Sequence, residues 1–354
     1  MKYFKDTDTA LLNFSNAPKP LSRSPWCARG SQTHDPIVHP RSRRRRTARL
    51  AVGDALGTTL EFKPPGSFTP LTDTIGGGPF TLHPGQWTDD TSMALCLGES
   101  LLTCNGFDAH DQMSRYLRWF REGHWSSTGT CFDIGNTVRE ALSAFERGSA
   151  PPWGPTRENS AGNGSLMRLA PVPICWHRDP STALARAADR SRTTHGAPVA
   201  IDACRFASGL IVGAINGATK QQLLAPRYAP VPDAWIAEPL HPLVDAVAGG
   251  SYARKTPPDI RGSGYVVHSL EAALWAFTTT TDFRTGALAA VNLGDDADTT
   301  GAIYGQLAGA YYGVEAIPQA WRERVTRADE IVEMAEQLAN SSSTRAVGGT
   351  GCLP

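Results

Sequence analysis

The 354-residue chain has no Cys-x-x-Cys pair among its seven cysteines, at 27, 96, 104, 131, 175, 204 and 352, so the usual spacings of a zinc site or a dithiol redox motif are absent. It also lacks an excess of charge of either sign. Lys+Arg and Asp+Glu are both 34, which leaves no global field to draw in nucleic acid or a membrane surface. No uninterrupted apolar run approaches the ~18 residues that cross a bilayer. Met1 to Pro40 holds no hydrophobic stretch of the kind that marks a secretory signal. Period-two alternation of β-branched residues is scarce as well. These absences lead us to expect a cytoplasmic protein with no membrane partner, its cysteines reduced and packed as small core side chains, as in Ala94-Leu95-Cys96-Leu97. Function must then reside in local sites.

Two stretches of different composition flank the rest. Residues 1–46 are rich in Ser, Pro, His and Arg and end in Arg41-Ser42-Arg43-Arg44-Arg45-Arg46, a run that reads as a solvated, disordered arm. A basic patch for nucleic acid or targeting is the alternative. Residues 341–354, with Ser341-Ser342-Ser343 and Gly348-Gly349-Thr350-Gly351, read as a flexible tail. Between them, 47–340 is expected to form one domain, long enough to bury a core.

Helical periodicity dominates that segment. Met93, Leu97, Leu101 and Leu102 recur at three- and four-residue steps, as do Ile201, Cys204, Ala207, Leu210 and Ile211, and again Leu270, Leu274 and Phe277. The expected class is all-α. Gly301, Gly305, Gly309 and Gly313 follow at four-residue steps. A helical Gly costs about 1 kcal/mol, so such a stripe predicts close backbone packing against another helix. Residues 226–264, rich in Pro, Gly and charge, are expected to be a long surface excursion that could form the rim of a site.

The chemistry concentrates in two acidic clusters about two hundred residues apart, Thr88-Asp89-Asp90-Thr91 and Asp295-Asp296-Ala297-Asp298-Thr299-Thr300. Five carboxylates brought together would repel one another unless cations neutralise them. Carboxylate and hydroxyl donors without His or Cys select hard divalent ions such as Mg²⁺ or Mn²⁺. The bland alternative is that each cluster caps a helix, where a side-chain oxygen satisfies a free N–H. A cap needs one acceptor, however, and the second cluster supplies three carboxylates and two hydroxyls.

Three further motifs are weaker alone. Gly53-Asp54-Ala55-Leu56-Gly57 with Glu61 places two acids seven residues apart, a spacing that could put both on one helical face. Gly162-Asn163-Gly164-Ser165-Leu166-Met167-Arg168 is a glycine-bracketed loop suited to a pyrophosphate or ribose hydroxyls, or else a polar turn between helices. It lacks the Walker lysine. His195, in Thr193-Thr194-His195-Gly196, is given at most a ligand-binding role.

Taken in order from about Leu50 to Gly313, these five elements resemble the ADP-ribosylglycohydrolase family, which includes dinitrogenase reductase-activating glycohydrolases and ADP-ribosylarginine and ADP-ribosylserine hydrolases. The resemblance implies a single compact all-α domain with a central binuclear Mg²⁺ (or Mn²⁺) site. It implies Thr88, Asp89, Asp90, Asp296, Asp298 and Thr299 as metal ligands, with Glu61, Asp90 and Asp133 as catalytic carboxylates. Gly162, Asn163, Gly164, Ser165, Arg168 and His195 would hold the ADP-ribose. The implied activity is Mg²⁺-dependent hydrolysis of the bond between ADP-ribose and a protein side chain, arginine foremost. The implied partners are an ADP-ribosylated protein and, potentially, a cognate ADP-ribosyltransferase. Two rivals remain: a non-catalytic ADP-ribose-binding or toxin-blocking protein that uses its basic arm, and a metal-dependent phosphohydrolase. Two departures from the pattern stand out. Ala297 replaces a Thr common in relatives, and Arg45, Arg46, Thr47 and Arg49 occupy positions expected to be apolar or small, so the first helix is either rebuilt at the surface or preceded by a stretch of unusual origin.

Overall fold

The computed structural model describes residues 48–341. The basic arm, including Arg45, Arg46 and Thr47, and the tail beyond Ser341 lie outside the described residues, as does the side chain of Arg49. Fifteen α-helices follow in order: α1 (Ala48–Gly57), α2 (Asp89–Thr103), α3 (Ala109–Glu122), α4 (Asn136–Glu146), α5 (Pro171–Cys175), α6 (Pro180–Arg192), α7 (Pro198–Ile215), α8 (Lys220–Leu223), α9 (Ala234–Ala237), α10 (Pro242–Ala248), α11 (Val266–Thr279), α12 (Phe283–Val291), α13 (Ala297–Tyr312), α14 (Gln319–Arg324) and α15 (Ala328–Ser341). Among the described residues no strand forms; two isolated bridges, Gly77 with Leu82 and Gly162 with Tyr265, are the whole β content. The all-α expectation holds. Ser341, placed in the tail on composition, is the last residue of α15.

The helices that are apolar all round lie innermost, and those with one apolar stripe lie outside. In α13 every residue from Ala297 to Gly309 is buried. Helices α1, α7, α11 and α12 pack around it. The outer α3 buries only Gln112, Met113, Tyr116 and Trp119, which recur at three- and four-residue steps. Helix α7 is long and apolar enough, on average, to span a bilayer, a length that a search for uninterrupted runs overlooked because Asp202 and Arg205 interrupt it; 83% of it is buried inside the fold.

The closest helix pair is α1 against α13. A Cβ on Gly53 would lie 2.0 Å from the Gly301 carbonyl oxygen, and one on Gly301 would lie 2.4 Å from that of Gly53. Neither position tolerates a side chain without moving a backbone. Of the glycine stripe, Gly301 thus packs backbone-close, whereas Gly313, at φ +85°, is the residue that ends the helix. The 226–264 excursion is more ordered than expected. It contains α9, α10 and a 3₁₀ turn at Ser251–Arg254, and it buries Leu240, Val244, Val247, Tyr252 and Ile260. Only its end, Gly262 to Gly264, reaches the site.

Candidate active site

The N-termini of α2 and α13 and the middle of α1 converge, which brings the two acidic clusters together. Asp54 accepts hydrogen bonds from the Thr88 amide at 3.0 Å, the Thr88 Oγ1 at 3.0 Å, the Thr91 amide at 3.0 Å and the Thr91 Oγ1 at 2.6 Å. Asp54 carried no assigned role in the sequence reading. Its signal was the flanking glycines, Gly53 and Gly57, which let α1 approach the start of α13: a Cβ on Gly57 would sit 2.4 Å from the Asp298 Cα. The spacing argument was wrong in detail, because α1 ends at Gly57 and a 3₁₀ turn, Thr58–Leu60, redirects the chain before Glu61. Asp54 and Glu61 therefore share the site without sharing a helical face.

Neither cluster behaves as a cap. Ordinary caps occur elsewhere: Asp108, Asp179 and Asp282 each accept the amide three residues on. Thr88 and Asp296, at the N-cap positions of α2 and α13, make no such bond. Instead Thr88 Oγ1 lies 3.0 Å from Asp54 Oδ1, 3.1 Å from Asp90 Oδ2 and 3.0 Å from Asp298 Oδ2. One hydroxyl proton cannot serve three carboxylates. Asp90 Oδ1 is buried with no hydrogen-bond partner at all. Thr299 Oγ1 donates to Asp90 Oδ2 at 3.3 Å, and the Glu61 carboxylate accepts the Ala297 amide at 3.0 Å.

Seven carboxyl groups gather here: Asp54, Glu61, Asp89, Asp90, Asp133, Asp296 and Asp298. Among the described residues none of them forms an ion pair with Lys or Arg. Burial, followed by the Asp298 charge, pushes Asp54 up to about 7 and Glu61 far above the carboxylate range. Burial and Asp298 likewise raise Asp133 to about 8 and Asp296 to about 7. Asp89 and Asp90 are held well above their ordinary values, again by burial first, then by Asp133 and Asp54 respectively. Oxygen atoms of Asp54, Asp90 and Asp298 lie within 4.8 Å of one another, as do those of Glu61, Asp133 and Asp298. An all-oxygen donor set with an orphaned carboxylate oxygen and a shared Asp298 fits hard divalent cations. Asp295 is the exception in its cluster: it is exposed, at φ +60°, and joins Phe62 and Lys63 through its backbone.

A cleft of about 460 Å³ is lined by Glu61, Phe62, Asp89, Asp133, Asp296, Asp298 and Thr299 together with Gly162, Asn163, Gly164, His195 and Gly264. Asn163 Nδ2 donates to Asp296 Oδ2 at 2.8 Å, which ties the glycine-bracketed loop to the acid cluster. Gln306 of α13 anchors the same loop from below, accepting the Ala170 amide at 2.7 Å and donating to the Leu166 and Met167 carbonyls at 3.1 and 2.6 Å. Among the described residues the amides of Gly164 and Ser165 have no backbone acceptor. Ser165 and Arg168 turn away from the cleft. Ser165 Oγ accepts from Ser191 Oγ at 2.9 Å, while Arg168, fully buried, donates to Tyr116 Oη, the Gly164 carbonyl and Thr194 Oγ1. Arg190, which no motif pointed to, is also fully buried and donates to the Ser165 carbonyl. Both guanidinium groups thus hold loop carbonyls from the buried side, and Gly162, Asn163 and Gly164 line the cleft. His195 lies against Gly164, where a Cβ would come 2.9 Å from its Cε1. Burial, with Arg168 and Arg190 nearby, lowers His195 well below its usual value, so the ring is neutral. Thr194 Oγ1, which accepts from Arg168, sits 2.9 Å from Nδ1.

Residues 49–347 match the family model described as ADP-ribosylglycohydrolase. The ADP-ribosylarginine hydrolase Tri1 of Serratia proteamaculans is 42% identical over 289 residues, covering 82% of this chain and 76% of that protein. The ADP-ribosyl-(dinitrogen reductase) glycohydrolase of Rhodospirillum rubrum is 31% identical over 280 residues, covering 78% and 87%. A solved structure described as an ADP-ribosylglycohydrolase-related protein complex superposes with a TM-score of 0.74 at 43% identity, covering 85% of this chain and 99% of that one. A helical scaffold, a cation-free cluster of buried acids and a family match across nearly the whole described chain agree: the protein belongs to the ADP-ribosylglycohydrolase family and is an enzyme of that class.

Proposed function

We propose that the enzyme hydrolyses the N-glycosidic bond joining ADP-ribose to an arginine side chain, with two Mg²⁺ or Mn²⁺ ions bound. The observation that carries this reading is that one cleft is lined both by carboxyl groups with no Lys or Arg partner among the described residues and by the glycine-bracketed loop at Gly162–Gly164. The first suits metal ions and the second an anionic diphosphate. Arginine is favoured over other linkages by the 42% identity to a protein named an ADP-ribosylarginine hydrolase.

Asp54, Asp90 and Asp298 would hold one ion, and Glu61, Asp133 and Asp298 the other, with Thr88, Asp89, Asp296 and Thr299 completing the donor set. When bound, such ions supply Lewis acidity and a water of lowered pKa. The Gly164 amide and the neutral His195 ring, both on the cleft, orient the diphosphate. Asn163 fixes Asp296 and so sets the ribose against the acids. Glu61 and Asp133, whose carboxyls line the cleft, are placed for proton transfer: one takes the proton of the attacking water as the C–N bond breaks, and the departing guanidine gains one.

Incubation of the full-length chain with ADP-ribosylated arginine peptide should release free ADP-ribose in Mg²⁺ and not in EDTA, with the product identified by mass. Serine- and O-acetyl-linked ADP-ribose serve as competitors in the same panel. Metal-independent release, or inorganic phosphate as product, would overturn the reading.

A further inference from the structure

Phe62 lines the cleft and heads a row of three aromatic rings. Phe62 follows Glu61 directly and stands at φ +59°, a left-handed conformation that costs a bulky residue roughly 1–3 kcal/mol. Backbone bonds impose it: the Phe62 amide donates to the Asp295 carbonyl at 2.7 Å and the Lys63 amide to the Leu60 carbonyl at 2.9 Å. The ring that results is 62% exposed. Of the large exposed apolar side chains among the described residues (Phe62, Ile75, Ile236 and Leu243), Phe62 alone lines the cleft. Phe80 meets it edge-on at 6.2 Å, and Phe132 tilts against Phe80 at 5.2 Å. Phe132 precedes Asp133, so the rings run from one cleft-facing acid to the other.

Asn163 ties the glycine-bracketed loop to Asp296, whereas Phe62 follows Glu61, which shares an acid group with Asp133 and Asp298. With the diphosphate against the loop, a ribose over the acids would turn its leaving group toward Glu61 and the neighbouring Phe62. We infer that Phe62, backed by Phe80 and Phe132, receives the arginine side chain that carries the ADP-ribose, the guanidinium against the ring face and the methylene stem along the ring edge. The inference rests on the arginine reading proposed above. The chemistry of the ring selects this occupant: a planar cation on a methylene stem suits an exposed aromatic face, whereas a serine-linked ADP-ribose would bring no cation and no long stem to the wall. Phe62 would then be a residue that determines linkage specificity, separate from those that hold ADP-ribose.

The test compares wild type, Phe62→Ala, Phe62→Leu and Phe62→Trp in full-length protein with Mg²⁺. It reads kcat and KM on an ADP-ribosylated arginine peptide, affinity for free ADP-ribose, and melting temperature. A cation–π contact at an exposed site predicts about a two- to fivefold rise in KM for the Ala and Leu variants. Their ADP-ribose affinity and melting temperature should stay at wild-type values, and Trp should recover most of the loss. An unchanged KM in Phe62→Ala overturns the inference, and so does a parallel loss of ADP-ribose affinity, which would place the ring against the other half of the ligand. If Phe62→Ala does not fold, Phe62→Leu provides the same comparison. Wild-type failure on the arginine peptide sinks the arginine reading and this occupant with it; wild-type turnover with indifferent variants sinks the inference alone.

Discussion

The two ends of the cleft are built with opposite charge and the same omission. At one end seven carboxyl groups gather without a Lys or Arg among their described ion pairs. At the other, Arg168 and Arg190 are wholly buried behind Gly164 and Ser165 with no carboxylate partner, and Arg190 Nε and Nη2 bond to nothing in the protein. A buried charge left unpaired costs several kcal/mol, and the fold carries this burden twice. It does not let the two ends neutralise each other, because the glycine-bracketed loop stands between them. Stability is given up so that each end stays available to a ligand of opposite sign, cations at one and a diphosphate at the other.

The carboxylate end is broken most severely at Asp298, which both acid groups share. Loss of several kcal/mol of charge stabilisation corresponds to about a thousandfold in rate, so we expect Asp298→Ala to abolish detectable turnover. The EDTA-treated variant should melt no lower than wild type, since repulsion is relieved; a lower melting temperature would mark Asp298 as a structural cap instead.

A second measurement reads the same repulsion through pH. Asp54, Asp133 and Asp296 are pushed from 3.8 to about 7, 8 and 7, so between pH 4 and 8 the folded, metal-free protein binds more protons than the unfolded chain. Stability in EDTA is therefore fullest near pH 4 and should fall as pH rises through that window, by an amount on the order of a few kcal/mol. Saturating Mg²⁺ should flatten or reverse the slope. Denaturation midpoints at pH 5 and pH 8, with and without Mg²⁺, decide it, and equal midpoints in EDTA would refute the account.

The smallest effect is expected at the cationic end. Arg190→Met keeps most of the volume and removes one unpaired charge, so the ligand-free protein should be as stable as wild type or more so. Affinity for ADP-ribose should drop about tenfold while affinity for uncharged adenosine stays level. Equal losses for both ligands would mean that Arg190 only props up the loop.

The acid end was largely legible in the sequence because its donors are of one chemical type and sit in two short runs. The glycines of α1 and α13 were legible for a similar reason: each costs helix stability, so a regular series of them signals a gain from close packing. Asp54 was harder to weigh, since a single acid between glycines has many uses and its four hydrogen bonds come from residues 34 to 37 positions away. Arg190 left no trace, because Arg in the last turn of an amphipathic helix ordinarily faces water. Ser165 and Arg168 belong to a motif that reads as a ligand loop, yet their side chains point inward; a motif specifies residue types, and the local turn decides which atoms face the cleft.

The sequence by itself determined the helical class, the acid runs at 88–91 and 295–300, and the need for close backbone contact along Gly301, because periodicity, charge density and glycine spacing are properties of short stretches of chain. Only the tertiary structure decided that Asp298 lies in two carboxylate groups at once and that Phe62 lines the cleft with its side chain exposed. The first depends on segments brought together from more than a hundred residues apart, the second on a backbone angle set by the distant Asp295 carbonyl, and no local preference encodes either.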